Sequence, residues 1–189
     1  MKRAVIVSGL PASGKTTVAR QLAKLLKLPL LDKDDFLEGL YEKQFPKTRE
    51  DRRQLSKISD TLFQQAAVEL DSVVLVSHWR PICGPQNTGT PTGWLRGGFS
   101  RIVEVHCACS PEVATSRFMN RTRHPGHRDQ DRPPAELSAA MEQMANGYPL
   151  GVGPAVTINT DAVSGPSKLA DNVAVACRTS DYFLDFLRA

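Results

Sequence analysis

Ala4-Val5-Ile6-Val7-Ser8-Gly9-Leu10-Pro11-Ala12-Ser13-Gly14-Lys15-Thr16-Thr17 decides how this chain folds. From Gly9 to Thr16 it fits G-x-x-x-x-G-K-[ST] without a mismatch. In that pattern two glycines let the backbone turn tightly and point its N–H groups at a phosphate. Lys15 supplies a mobile cation for the outer phosphates, and Thr16 a hydroxyl for a hard metal ion. The apolar run Ala4–Val7 before it reads as a buried strand. After it Val18, Leu22, Leu25 and Leu26 fall on one face of a helix. The start of that helix aims its partial positive charge at the same phosphates. The stretch therefore predicts a strand–loop–helix unit that holds a nucleoside triphosphate. Gly9, Pro11, Ala12, Ser13, Gly14, Lys15, Thr16 and Thr17 line it.

The chain has 189 residues, 41% of them hydrophobic and 23% charged. This suits one α/β domain spanning residues 1–189, with a well-buried core. No apolar run approaches a membrane span in length, so a membrane partner is not expected. Met1-Lys2-Arg3 and the four apolar residues after it are not expected to make a secretory signal, because the apolar stretch is short and leads straight into the phosphate loop. A cytoplasmic protein is expected. The four cysteines, Cys83, Cys107, Cys109 and Cys177, lack paired metal spacing and read as free, buried thiols. The formal net charge of +4 includes a cluster at Arg117, Arg121, Arg123, Arg128 and Arg132. Such a cluster suits a nucleic acid or a clamp on nucleotide phosphates.

Five β-rich runs alternate with helical patterns: residues 4–8, 29–31, 73–77, 102–107 and 155–159. Val73-Val74-Leu75-Val76 is apolar throughout, as a parallel strand covered on both faces requires. Helices are predicted over 15–26, 50–70, 111–120, 135–144 and 168–178, with a short closing pattern over 182–187. Ser110-Pro111-Glu112 is a helix entry: a capping hydroxyl, a proline in the first position and an acid in the first turn. Two irregular stretches, 79–99 and 123–134, follow a strand or its helix. Both can therefore reach the carboxyl edge of the sheet, where ligands of open α/β folds sit. The first holds both tryptophans and is expected to wall an acceptor with Trp94. Main-chain groups around Thr157-Ile158-Asn159-Thr160-Asp161 and the loop after it, through Ser164-Gly165-Pro166, are expected near the adenine.

The second strand runs into Leu31-Asp32-Lys33-Asp34-Asp35-Phe36. If strand geometry persists, Asp32 and Asp34 face the same way. Two carboxylates beside a phosphate loop suit two tasks. Asp32 can hold the waters of Mg²⁺, and Asp34 can accept the proton of an attacking hydroxyl. Asp35 is read as a helix cap. The third strand ends in Ser77-His78-Trp79-Arg80 with no carboxylate, so metal binding falls to Thr16 and Asp32. For His78, orienting the acceptor and a structural role stay equally open. Arg117 and Arg121 lie four apart, on one face of their helix, with Arg123 just beyond. Arginines running into a Pro/Gly loop suit a lid that closes over the charge of a transferring phosphoryl group. His124 and His127 lack a third ligand and are read as structural.

With these motifs in this order the chain resembles the small P-loop kinases. Among them are the AAA_33-type ATP-binding proteins and the kinase domain of phage polynucleotide kinase, with shikimate kinase, gluconate kinase and chloramphenicol phosphotransferase further off. The resemblance implies a three-layer α/β/α P-loop NTPase fold. It also implies a five-stranded parallel sheet in the order 2-3-1-4-5 and an arginine-rich lid over about 117–134. By that resemblance Asp34 is the general base, Arg121 the lid arginine with Arg117 one turn earlier, and Asp32 a holder of metal waters. Two places depart from polynucleotide kinase: Leu37 stands where it has an arginine, and Ser77-His78-Trp79 where it has Asp-Thr-Asn. Both lie on the acceptor side. The loop Thr88-Gly89-Thr90-Pro91-Thr92-Gly93-Trp94-Leu95 has no counterpart with a known substrate. The expected activity is ATP- and Mg²⁺-dependent transfer of the γ-phosphoryl to a hydroxyl of a small molecule such as a sugar, nucleoside or antibiotic. Asp34, Lys15, Arg117 and Arg121 are the catalytic candidates. A polynucleotide 5′-hydroxyl kinase and a non-catalytic ATP-binding regulatory module are the alternatives.

Overall fold

Ala4, Val5, Ile6 and Val7 have no solvent exposure, a condition met by a central strand with helices on both faces. In the computed structural model, which describes residues 1–81, 89–161 and 166–188, they form the middle of β1 (Arg3–Gly9). The other strands are β2 (Leu30–Asp32), β3 (Ser72–Val76), β4 (Arg101–Ala108) and β5 (Ala155–Asn159). All pairings are parallel and the order is β2-β3-β1-β4-β5, the order expected from the sequence. Crossovers between parallel strands need long connections, and these are supplied by helices.

The helices are α1 (Lys15–Leu26), α2 (Lys33–Lys43), α3 (Arg49–Val68), α4 (Leu95–Gly98), α5 (Pro111–Asn120), α6 (Pro134–Ala145), α7 (Pro166–Thr179) and α8 (Asp181–Arg188). Alternation along β1 feeds two cores. Val5 and Val7 pack with Val18 and Leu22 of α1, Val173 of α7, and Phe183 and Phe186 of α8. Ala4 and Ile6 pack on the opposite face with Phe63 and Ala67 of α3. Helix ends follow local chemistry. Thr48 and Asp51 form a reciprocal capping box at the start of α3, worth about 1 kcal/mol. Ser110 caps α5 through the Val113 N–H, with Pro111 in the first turn. Among the described residues, no helix is long and apolar enough to cross a membrane.

Three expectations change. Strand geometry does not persist to Asp34: β2 ends at Asp32, and α2 begins at Lys33. Asp32 accepts the Asp34 N–H at 3.0 Å, so the cap is Asp32 and not Asp35. A carboxylate one residue before the turn satisfies an orphan N–H of the first helical turn. The tryptophans do not form an acceptor wall. Trp79 is fully buried against Phe63, and its Nε1 donates to Val7 O at 2.8 Å. Trp94 packs against Phe63 and Phe99 and donates to Pro91 O at 2.8 Å. Both indoles complete the core beneath α3 with their single donors satisfied, the usual condition for burying that ring. Thr88 and Cys83 lie outside the described residues, as do Ser164 and Gly165. Cys107 and Cys177 are free and buried, and Cys109 is free and half-buried.

The fully buried Glu104 of β4 was not singled out in the sequence. It accepts from Ser8 Oγ at 2.5 Å, Leu150 N at 2.7 Å and Gly151 N at 3.0 Å. One carboxylate thus ties the α6–β5 connection to the strand that carries the phosphate loop, with its acceptor capacity used by charge-assisted bonds.

Candidate active site

The carboxyl ends of all five strands open on the same edge, and the chemistry collects there. Between β1 and α1 the loop turns through positive φ at Gly9 (135°), Ala12 (62°) and Gly14 (89°). At Gly9 a Cβ would stand 2.6 Å from the Cys107 carbonyl of β4, so the position admits only glycine. α1 starts with neither a side-chain cap nor an acid in its first turn. Its leading N–H groups are left for an anion. Ser13 is fully buried with an unpartnered hydroxyl. Lys15 folds back onto the loop and donates to Gly9 O at 3.1 Å and Leu10 O at 2.7 Å. Burial lowers its pKa to about 8, a shift that a phosphate in the loop would reverse.

Thr16 Oγ1 donates to Asp32 Oδ2 at 2.9 Å. Asp32 is 7% exposed, and burial together with the charge of Asp34 pushes its pKa up to about 6. Hydroxyl and carboxylate oxygens beside a phosphate cradle are the donor set a small hard cation prefers. No group of three His, Cys, Asp or Glu among the described residues makes a metal site by itself. Thr16 and Asp32 therefore fit an ion that arrives with phosphate oxygens and keeps its waters.

The N-terminus of α2 places Asp34 beside this pair. Partial burial pushes its pKa up, but Arg123, His127, Lys33 and Lys15 outweigh it and hold the carboxyl below the usual range. Arg123 Nη2 is ion-paired directly with Asp34 Oδ2. Lys33, turned inward, donates to Ser56 at 2.7 Å and pairs with Asp60 at 3.4 Å. Asp60 also accepts from Thr90 at 2.7 Å. That buried network fixes the start of α2 against α3, and with it the direction of Asp34.

The lid between α5 and α6 lies down on α2. His124 Nε2 meets Glu42 at 3.0 Å, and His127 Nε2 meets Glu38 at 2.8 Å. The Tyr41 ring stacks on His124 at 5.4 Å and takes His127 edge-on at 5.3 Å. Gly126 lies so close to Tyr41 that a Cβ would come within 2.5 Å of the ring. The two histidines are therefore lid contacts and not metal ligands. α5 ends at Asn120, and Arg121 already has extended backbone, with φ −83° and ψ 148°. The expected shared helix face of Arg117 and Arg121 is consequently broken. Arg121 stacks over Phe118 at 3.9 Å, pairs with Asp129 at 3.0 Å and lies close enough to lower the Lys15 pKa. Arg117 points elsewhere, donating to Thr160 O at 2.8 Å and Asp161 O at 3.2 Å beyond β5. The structure thus gathers Lys15, Thr16, Asp32, Asp34, Arg121 and Arg123, and sets Arg117 apart at the edge expected to hold the base.

His78 stands at the end of β3 among these charges. Burial, then the charges of Lys15, Lys33 and Arg132, lower its pKa to about 3, and its Nδ1 has no partner. The imidazole is therefore neutral throughout the physiological range. Arg123 carried no stronger signal in the sequence than Arg117 or Arg121, because helix phase cannot be read past a helix end.

A phosphate loop on the first strand of a 2-3-1-4-5 parallel sheet, an acidic turn after the second strand and a docked arginine lid define the fold of the small P-loop kinases of the shikimate-kinase-like group. A family model described as AAA domain matches residues 5–136, and the chain belongs to that family. Its sequence is similar to a cytidylate kinase of Pyrobaculum calidifontis, with 38% identity over 123 residues covering 62% of this chain and 59% of the relative. The chain spans about three fifths of the length of the curated relatives it matches. Its structure is similar to that of a proposed kinase from Chloroflexus aurantiacus. The TM-score is 0.71 at 27% identity, covering 93% of this chain and 98% of that one. The shikimate kinase of Bacteroides thetaiotaomicron shares the fold, with a TM-score of 0.59 at 17% identity, covering 93% of this chain and 96% of that one.

Proposed function

We propose that the chain is an ATP-dependent phosphotransferase that moves the γ-phosphoryl group to a hydroxyl of a small molecule. The observation that carries this reading is the ionised Asp34 carboxylate beside Lys15, Thr16 and Asp32 and under Arg123. A protein that only binds nucleotide has no use for a carboxylate at that place, since it repels the phosphates. A transferase needs one to take the hydroxyl proton.

In the reaction the acceptor oxygen bonds to the γ-phosphorus, the bond to the departing ADP oxygen breaks, and the hydroxyl proton passes to Asp34. The loop N–H groups and Lys15 hold the phosphates, and Lys15 leaves the Gly9 and Leu10 carbonyls to do so. Thr16 and Asp32 would hold Mg²⁺, which would supply positive charge against the phosphate oxygens. Arg121 places a planar cation near the transferred group, and Arg123 keeps Asp34 ionised until the acceptor displaces it. Arg117, bound to the main chain beyond β5, braces the nucleobase edge. His78 offers an uncharged imidazole to the acceptor.

A second reading, phosphoryl transfer to a nucleoside monophosphate, is favoured by the similarity to a cytidylate kinase and by the arginines around the lid. Asp34 argues against it, because an attacking phosphate needs no base and is repelled by a carboxylate. Transfer of labelled γ-phosphate from ATP to a panel of sugars, nucleosides, nucleoside monophosphates, aminoglycosides and 5′-hydroxyl oligonucleotides separates these readings. A phosphate monoester formed on a hydroxyl is expected. Products confined to phosphoanhydrides would establish the second reading, and ATP binding with no transfer to any acceptor would leave a regulatory module.

A further inference from the structure

His127 is set into the seam between the lid and α2. Its side chain is only 1% exposed, its Nε2 meets Glu38 Oε1 at 2.8 Å, and its ring stands edge-on to Tyr41. Its Nδ1 is buried with no hydrogen-bond partner among the described residues. An ionised carboxylate accepts and does not donate, so Nε2 carries the hydrogen and Nδ1 keeps its lone pair. A second proton on this ring would be a buried N–H with nothing to accept it, on a cation taken out of water. The charges around the ring are mixed. Glu38 and Asp34 of α2 and Asp129 of the lid favour the protonated form, and Arg123 of the lid opposes it. Across the cavity that His127 lines stand Arg49, Arg52 and Arg53 of α3, Arg128 and Arg132 of the lid, and Glu136 of α6. Burial first, then Arg123, outweighs the acids and holds the imidazole below its usual range. The neighbouring His124 is placed differently. Its Nδ1 accepts the Gly126 N–H at 3.0 Å, and it meets Glu42 in a pair whose side chains are 20% and 74% exposed, so water screens that contact.

We propose that His127 is a proton-sensitive pin for the lid, which docks on α2 with this imidazole neutral, so that closure releases a proton and acid opens the site. Out of the seam the ring lies in water and binds a proton with an ordinary midpoint near pH 6.5. Above that pH the ring is neutral whether the lid is docked or open, and docking has its full strength. Below it the open lid takes up the proton and the docked lid does not, so docking weakens. At pH 5.5 the docking equilibrium should stand about tenfold lower than at pH 7.5. Arg123, paired with Asp34, and Arg121, whose charge reaches Lys15, are carried on the same segment. Opening therefore withdraws both cations from the phosphate loop. His127 is a positioning residue that acts through these arginines, whichever acceptor the site takes.

The test follows the lid of the full chain without turnover. Initial trypsin cleavage after Arg121, Arg123 and Arg128 is measured from pH 7.5 to pH 5.5. Each rate is divided by that for an unstructured peptide of residues 118–133, which removes the protease's own pH dependence. Protection of the wild type should fall about tenfold over this range. In His127→Gln, whose amide donates to Glu38 at every pH, it should change by less than about twofold. Asp32, His78 and His124 are the same in both proteins, so the difference belongs to His127. If the glutamine variant does not dock its lid, the ring resonances of His127 decide by NMR. Their midpoint should lie at least about one pH unit lower in the wild type than in Gly126→Ala, where the overpacked lid leaves the ring in water. Protection that falls equally in the wild type and His127→Gln, or a His127 midpoint shared by the wild type and Gly126→Ala, overturns the proposal. Neither readout needs an acceptor. Failure to transfer phosphate therefore leaves this inference standing, and its own failure leaves the phosphotransfer reading standing.

Discussion

Arg123 reaches from the lid to the Asp34 carboxylate at the start of α2, so that one ion pair joins the proposed base to the element that covers it. Asp129 accepts from Arg121 at 3.0 Å and lies 3.6 Å from Arg123, holding the two lid arginines side by side. Lid position and base ionisation are thereby set by the same contact. Arg117, one turn before the end of α5, is committed to the main chain beyond β5.

This division predicts different kinetic signatures for arginines that look equivalent in the sequence. Arg121→Ala should lower kcat by about a hundredfold or more, as removal of a donor to transition-state charge does, and Arg123→Ala should lower kcat as well, because it removes the cation paired with the Asp34 carboxylate. Arg117→Ala should mainly raise the KM for ATP and leave kcat within about fivefold. Steady-state kinetics on the three variants checks this, and a large kcat effect at Arg117 would contradict it.

Gly126→Ala tests the lid contact itself. The new Cβ would stand 2.5 Å from the Tyr41 ring, and overpacking of this kind costs about 1–3 kcal/mol. The lid should rise off α2, trypsin should cut faster among Arg121, Arg123, Arg128 and Arg132, and turnover should fall. Tyr41→Ala introduced into Gly126→Ala should restore part of the protection. Cleavage at the wild-type rate in Gly126→Ala would show that the lid does not depend on this contact.

His78 predicts a pH dependence of stability. Its folded pKa is lowered to about 3, against an unfolded value of about 6.5. Between those values the unfolded chain binds the proton and the folded chain does not. The contribution is therefore fully present above about pH 6.5 and is lost as pH falls through the window. His78→Gln removes this component, so its Tm should fall less than that of the wild type between pH 7 and pH 5. Parallel Tm profiles for the two proteins would refute the neutral, buried imidazole.

The phosphate loop and the sheet were legible because each residue there answers to a local rule. Gly9 and Gly14 sit at positive φ, and unbroken apolar runs mark strands covered on both faces. Lys15–Leu26 and Pro111–Asn120 match their predicted bounds because a glycine turn and a Ser-Pro cap punctuate them. Asp32 and Asp34 were found for a reason that did not hold. They meet across a helix cap and not along a strand, a choice made by whether the turn begins at Lys33. The contacts that complete the site join residues far apart in the chain: Arg123 with Asp34, His127 with Glu38, Lys33 with Asp60. No periodicity carries such pairs. Trp94 misled because an aromatic in a Gly/Pro-rich loop looks like a binding wall, whereas Phe63 and Phe99 claim it for the core.

The central claim, that Asp34 takes the acceptor proton, is tested most directly by Asp34→Asn in the labelled γ-phosphate transfer assay, with nucleotide affinity measured in parallel. The amide keeps the shape of the side chain but accepts no proton. Transfer should drop by about 10²–10⁴-fold, the range for loss of a general base, while affinity for the ATP analogue stays within about threefold, since Asp34 is not assigned to nucleotide binding. Transfer at the wild-type rate in Asp34→Asn would contradict the account.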